Sequence, residues 1–233
     1  MGSASVRALS EPAADRRRLH VEHLTVGLLE CTCTIVGDPA TGEAIVVDGG
    51  DNVPEIAARL NALGLRAKYL LHTHAHIDHI GALGELRDTC GGSALLHPDD
   101  LPLYGTLALQ ARWMGLVQAP PIVKLDADLR DGDAFTAGAV TLRALHTPGH
   151  TPGSTSFALE FDGSTPLLLT GDTLFRGGVG RWDLGGTSLA DIVTSINSKL
   201  LAYADETIVV PGHGPATTIG AERRDNPYLA AHA

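Results

Sequence analysis

Several things are scarce in this sequence. Three cysteines in 233 residues, Cys31, Cys33 and Cys90, are too few and too unevenly placed for a disulfide framework, which points to a reducing compartment. Basic residues are outnumbered, 17 against 27 acids, and the formal net charge of -10 argues against nucleic-acid backbone binding as the main task. No apolar run is long enough to span a membrane. The opening MGSASVRALSEPAADRRRLH has arginines but no apolar stretch after them, so it is neither a secretory nor a twin-arginine signal. Glu11 and Asp15 count against a transit peptide, and a cytoplasmic location is the expectation. Aromatics make up only 4%, which reflects an Ala/Leu/Val/Gly-rich composition rather than disorder. There is no G-x-S-x-G elbow and no cysteine within a motif, so a serine or cysteine nucleophile has no candidate.

What is present is histidine, and it is concentrated. The chain has 11, and HTHAHIDH at 72–79 holds four of them with an aspartate. The length suits one domain with a substantial core. Residues 1–18 read as a flexible tail and 19–233 as a single domain without internal repeat.

Short apolar runs punctuated by Gly, Pro and Asp predict strands at CTCTIV and EAIVVD, joined by the turn GDPATGE. VPEIAARLNALG predicts an amphipathic helix closed at Gly64, and AKYLLHTH a buried strand running into the histidine cluster. A second helix is expected over HIGALGELRDTCGG, then a short strand at SALLHP. The stretch 101–121, apolar but broken by Gly and Pro, reads as a lid, a dimer contact or a packed helix pair. Strands follow at DAFTA, AVTLRALH, STSFALEF and PLLLTGD, then a helix at SLADIVTSINSKLLAY and a last strand in ETIVVPGHG. Helices interspersed without strict βαβ alternation predict an α/β (α+β) chain of packed mixed sheets flanked by helices.

The spacing H-x-H-x-D-H between a strand and a helix lets one loop curl its side chains together. Imidazole and carboxylate are the donors for zinc, iron or manganese. Three more strand ends carry such donors, each beside a glycine: His150 in HTPGHTPGS, Asp172 in LLLTGDTLF and His213 in IVVPGHG. Taken singly, each has a bland reading as a satisfied loop histidine or a turn cap. Four independent strand ends each presenting a donor do not. His74, His76, Asp78, His79, His150, Asp172 and His213 suffice for two metals if one carboxylate bridges. His72 and His146 fit supporting or core positions. His20, His23, His97 and His232 take the bland reading. Asp48 is either a strand-terminating turn residue or a hydrogen-bond partner of the ligand loop. Cys31 and Cys33, two apart on a strand, read as small buried hydrophobes.

Two divalent ions about 3.5–4 Å apart hold a water between them and lower its pKa towards about 7. Asp78 would bind one ion and orient the attacking water, a catalytic role, while the metals polarise a carbonyl. The expectation is a hydrolase acting on a small-molecule substrate, as a monomer or homodimer.

VVDGG, HAHIDH, HTPGHT, TGDTLF and PGHG, in that order, resemble the metallo-β-lactamase superfamily. The resemblance implies a four-layer αββα sandwich with the site along one edge. It also implies that His74, His76 and His150 bind one metal, Asp78, His79 and His213 the other, and that Asp172 bridges. Zinc is the expected ion, with iron or manganese as alternatives. TGDTLFRGGVGRWD and PGHGPATTIGAERRDNPYL are similar to the compact glyoxalase II-like hydrolases, which cleave thioesters such as S-lactoylglutathione. Only twenty residues follow His213, so the helical C-terminal domain of the larger enzymes is not expected. Arg181 stands where that family has a glutathione-contacting lysine, and Asp183 where it has a tyrosine. Arg181 is therefore either a substrate contact for an anionic tail or a salt-bridged structural arginine. The G-R-x-D stretch also resembles persulfide dioxygenases, which would use a single iron on His74, His150 and Asp172. Lactone and β-lactam hydrolysis remain as further alternatives.

Overall fold

The computed structural model describes residues 19–159, 166–183 and 186–230. The expected N-terminal tail lies outside them.

The first sheet runs in chain order: β1 (His20–Val26), β2 (Cys31–Asp38), β3 (Glu43–Val47), β4 (Arg66–Leu71), β5 (Ser93–Leu96) and β6 (Ala127–Asp128). β1 to β3 are antiparallel neighbours, and from β3 onward the pairing turns parallel. The second sheet is built from β7 (Ala134–Ala137), β8 (Val140–His146), β9 (Thr155–Leu159) and β10 (Leu167–Gly171). A small ribbon follows, β11 (Leu174–Phe175) with β12 (Gly178–Val179), and then β13 (Ile208–Pro211) and β14 (Thr217–Thr218) complete that sheet. β13 lies parallel to β10, while the other pairs of this sheet are antiparallel. Both sheets are mixed, as the interrupted alternation predicts.

The period-2 pattern of the strands sorts side chains into layers. Cys31, Cys33, Ile35, Ala44 and Val46 face the helices α1 (Val53–Ala62) and α3 (Leu83–Cys90). Their neighbours Val36, Ile45 and Val47 face inward, where they meet Phe135, Leu142, Phe157, Leu169 and Val210 of the second sheet. On the far side Ala158, Leu168 and Val209 pack under Ile192, Ile196 and Ile219 of the C-terminal helices. The layer order is α, β, β, α. Cys31 and Cys33 are fully buried and unpaired, as expected of small hydrophobes.

Several boundaries differ from the sequence expectation. β4 stops at Leu71, so the histidines that follow belong to a loop. The helix expected from residue 79 is two, α2 (Ile77–Ile80) and α3, broken around Gly81. The 101–121 stretch contains a packed helix pair, α4 (Leu101–Tyr104) and α5 (Leu107–Trp113), which buries Tyr104, Leu107 and Ala111. The long helix expected near the C-terminus is capped by Ser188 as predicted. It winds as α6 (Leu189–Ser195) and then as a π turn over Ile196–Leu200. β1 and α7 (Ile219–Asp225) were not anticipated. Among the described residues, no helix is long and apolar enough to cross a membrane.

The two sheets are stitched at one edge. Thr155 N–H donates to the Thr73 carbonyl at 2.8 Å, and Thr32 N–H to the Gly212 carbonyl at 2.7 Å. The candidate residues emerge from the strand ends along this seam.

Candidate metal centre

The loop after β4 supplies the first four donors. His74 lies in the loop, and His76, on extended backbone, is the N-cap residue of α2, so Asp78 and His79 fall on that helix's first turn. α2 begins tight against the loop after β3. A methyl group on Gly50 would run into the Asp78 carbonyl. Likewise a methyl on Gly212 would strike the Asp172 carboxylate and lie 2.8 Å from His79 Cε1. Glycine at these positions permits the close approach.

All seven predicted donors converge, and they separate into two groups. In the first, His76 Nδ1 lies 3.0 Å from both His74 Nε2 and His150 Nε2. Asp172 Oδ2 stands 3.5 Å from His150 Nε2. In the second, His79 Nε2 and His213 Nε2 are 3.2 Å apart. Asp78 Oδ2 is 3.1 Å from His213 Nε2 and 3.5 Å from His79 Nε2. Asp172 Oδ1 completes this group at 3.6 and 3.7 Å from the same two nitrogens. A tetrahedral ion with bonds of about 2.0–2.1 Å spaces its ligand atoms about 3.3 Å apart. Both groups have that spacing.

The residues fit divalent cations on a second count. Asp172 Oδ1 is buried without a hydrogen-bond partner, a costly state for a carboxylate oxygen unless something positive meets it. The facing nitrogens agree, since lone pairs pointed at one another need a shared acceptor of electrons.

Outer contacts aim those lone pairs. His79 Nδ1–H donates to Asp48 Oδ2 at 3.0 Å, and His150 Nδ1–H to the Arg181 carbonyl at 2.8 Å. His213 Nδ1–H donates to the Leu29 carbonyl at 2.8 Å. The Thr73 hydroxyl donates to Asp48 Oδ2 at 2.7 Å, which leaves its lone pair to accept from His74 Nδ1–H at 3.0 Å. In each case the proton sits on Nδ1 and Nε2 faces the centre. His76 alone presents Nδ1. Of the two readings of Asp48, the hydrogen-bonding one describes the structure: Asp48 also accepts from Thr73 N–H at 2.8 Å.

Burial sets the protonation of the first group. It holds His74 well below the usual imidazole range and His76 and His150 down to about 4, with neighbouring histidines adding to the effect. They are neutral, as ligands must be. In the second group burial opposes the charge on His79, but the Asp48 and Asp172 carboxylates outweigh it and raise that histidine. Burial also opposes His213, which is raised by its hydrogen bond to Asp78 and by Asp172. Asp78 is carried down to about 2: the His213 hydrogen bond and the charges of His79 and His213 overcome its burial. Burial pushes Asp172 up. The acids of this group thus favour positive charge between the two rings, which a bound cation would supply.

Cys31 Sγ lies 3.5 Å from His79 Nδ1, on the side of the ring away from the centre. Burial pushes its thiol up to about 11, so it stays protonated. His72 has the supporting position expected of it. It is buried and neutral, brought to about 4 by desolvation, and its Nδ1–H reaches the His79 carbonyl at 3.1 Å. His146 instead stacks on His97 at 4.0 Å and donates to the Pro152 carbonyl, outside the centre. Arg181 forms an exposed ion pair with Asp183 at 3.0 and 3.1 Å.

Two supporting residues have no counterpart in the sequence reading. Asp100, fully buried, accepts from Ala75 N–H at 2.9 Å, Gly153 N–H at 2.7 Å and the Thr151 hydroxyl at 2.9 Å. It ties the His74–His76 loop to the His150 loop. Gln110 of α5 accepts from Ile77 N–H at 2.9 Å and donates to the Ala75 carbonyl at 3.2 Å.

A family model described as the metallo-beta-lactamase superfamily matches residues 26–213. The chain belongs to that superfamily. Among superfamily relatives it is 42% identical to an uncharacterized protein of Mycobacterium leprae, over 87% of this chain and 95% of the other. It is 33% identical to the hydroxyacylglutathione hydrolase GloC of Haemophilus influenzae, over 91% and 98%. Similar solved structures include the B3 metallo-beta-lactamase BLEG-1, at TM-score 0.78 and 33% identity over 90% and 99% of the chains. TTHA1623 in a di-iron-bound form matches at TM-score 0.76 and 37% identity, over 90% and 100%. ETHE1 of Myxococcus xanthus matches at 0.73 and 27%, over 92% and 86%. The two mixed sheets and their flanking helices are the superfamily's fold, and the clustered His and Asp residues are a candidate site for the divalent metals that its members bind.

Proposed function

We propose that the protein is a binuclear metal-dependent hydrolase of thioesters, of the glyoxalase II type. The observation that carries this reading is the division of seven donors into two groups that share Asp172, one of its oxygens turned to each. Cations held there supply a water of lowered pKa and a Lewis acid for the substrate carbonyl. The remaining work falls to the chain. His74, His76 and His150 hold one position, and Asp78, His79 and His213 the other. Asp78, ionised and partly open to solvent, orients the attacking water by accepting its hydrogen bond. Water adds to the thioester carbon, the carbon–sulfur bond breaks, and the proton from water leaves on the thiol. Zinc suits the histidine and carboxylate donors, as do iron and manganese. The 33% identity to GloC makes S-lactoylglutathione the reference substrate.

A second reading has its own support. The resemblance of the G-R-x-D stretch to persulfide dioxygenases fits a mononuclear-iron oxidoreductase using His74, His150 and Asp172. The metal content of protein purified without added metal, read with thioester turnover and oxygen uptake on glutathione persulfide, separates them. Two ions and thioesterase activity support the hydrolase. One iron with persulfide-dependent oxygen consumption overturns it.

A further inference from the structure

A cavity of about 360 Å³ opens beside the metal centre, within the size range of small-molecule sites. It reaches Asp78 and Gly50 at its inner end. Its walls are apolar: Leu28 and Leu29 from the β1–β2 turn, Ile77 from α2, and Met114 and Leu116 from the segment after α5. The same turn that offers Leu29 to the cavity holds His213 by the Leu29 carbonyl, so one turn serves both the cavity wall and a metal ligand.

The charge is one-sided. Asp51, Asp78 and Glu85 border the space, and no lysine, arginine or histidine is among the described residues that line it. An anionic acyl group placed here would meet Asp51 and Glu85. Arg181, the residue expected to receive such an anion, is absent from the lining and paired with Asp183. The apolar side chains are also unusually open. Leu28 is 81% exposed and Leu29 50%, while Val117, between the lining residues Leu116 and Gln118, is fully exposed. Adjacent exposed apolar residues beside a reactive centre mark a place where a ligand excludes water.

We infer that this cavity binds an uncharged apolar acyl chain, so that the preferred substrates are thioesters with an aliphatic acyl group rather than the short, polar lactoyl group of S-lactoylglutathione. The inference rests on the thioesterase reading and narrows its substrate class. The carbonyl is held at the metals, and the chain attached to it runs past Asp78 between Leu28 and Leu116.

The test uses the metal-loaded protein with N-acetylcysteamine thioesters from acetyl to octanoyl. The expected result is a rise in kcat/KM of about threefold to fourfold per added methylene until the cavity is full. Leu28→Asp and Leu116→Asp, both at exposed positions, are expected to lower the octanoyl-to-acetyl ratio by at least tenfold. Titration with the non-cleavable thioethers S-methyl- and S-octyl-N-acetylcysteamine reads the cavity without turnover, the octyl compound binding tighter. Tighter octyl binding without hydrolysis of any thioester would sink the thioesterase reading and leave the cavity assignment standing. Hydrolysis with a flat chain-length profile, or with S-lactoylglutathione ahead of octanoyl, would overturn the cavity assignment alone.

Discussion

The two halves of the metal centre are held in different ways. The three-histidine half is neutral, and its loops are tied by Asp100 and Gln110, which touch backbone rather than the rings. The half built on Asp78, His79 and His213 carries charge, and its rings are gripped directly by Asp48 and the Leu29 carbonyl. Rings are held by hydrogen bonds in both halves, His74 by Thr73 and His150 by the Arg181 carbonyl. What sets the first half apart is the added buried brace of Asp100 and Gln110 across the backbone of its loops.

Asp172→Ala removes the group common to both halves and has the largest expected effect. Both ions should be lost or bound at least about 100-fold more weakly, since a metal ligand and not merely its support has gone. Metal analysis after gel filtration reads this directly; retention of two ions with full thioester turnover would refute the shared-carboxylate arrangement.

Asp100→Asn sharpens the contrast. Asparagine has one acceptor oxygen where Asp100 uses both, so a loop amide loses its partner at about 1–3 kcal/mol. Chelator competition should show one ion weakened by about 10–100-fold and the other nearly unaffected. Equal weakening of both ions would mean that the halves are not separately braced.

The metal-free protein should also respond to pH through the neutral half. His72, His76 and His150 are held at about 4, against 6.5 for an ordinary histidine. As pH falls below 6.5 the unfolded chain takes up protons there and the folded chain does not, so stability is lost between about 6.5 and 4. His79 and His213, raised in the folded state, act the other way near pH 6.5 and above, and are charged in both states only well below it. Thermal melts of chelator-treated protein at about pH 5.5 and about pH 4.5 therefore isolate the neutral half. A higher melting temperature at the lower of these would contradict it.

The smallest effect is expected from Arg181→Ala. Its ion pair with Asp183 is exposed and screened, so the melting temperature should not move. A rise in KM for an anionic thioester would restore it as a substrate contact.

Much of this centre is legible in the sequence because its ligands sit where strands end, and strand ends are marked. Apolar runs that stop at HTHAHIDH, HTPGH, TGD and PGHG name both the donor and its place. Asp48 is half legible, as an acid closing a strand beside glycines. Asp100 and Gln110 are not. An aspartate after a strand and a glutamine in a short helix are ordinary, and only the folded chain shows which amides they meet. The same limit applies to the fold. β1 is a half-exposed edge strand without the apolar density of its neighbours, so HVEHLTV carries little signal. The break between α2 and α3 hides because HIGALGEL stays helical in period across Gly81.

His79 and His213 face each other across 134 positions of sequence, and Asp172 lies between them in the chain. Closing a loop of that length costs conformational entropy. Cations held by both its ends would offset part of that cost and fasten the loop after the first sheet's β4 to the strand ends of the second, a clasp across the seam.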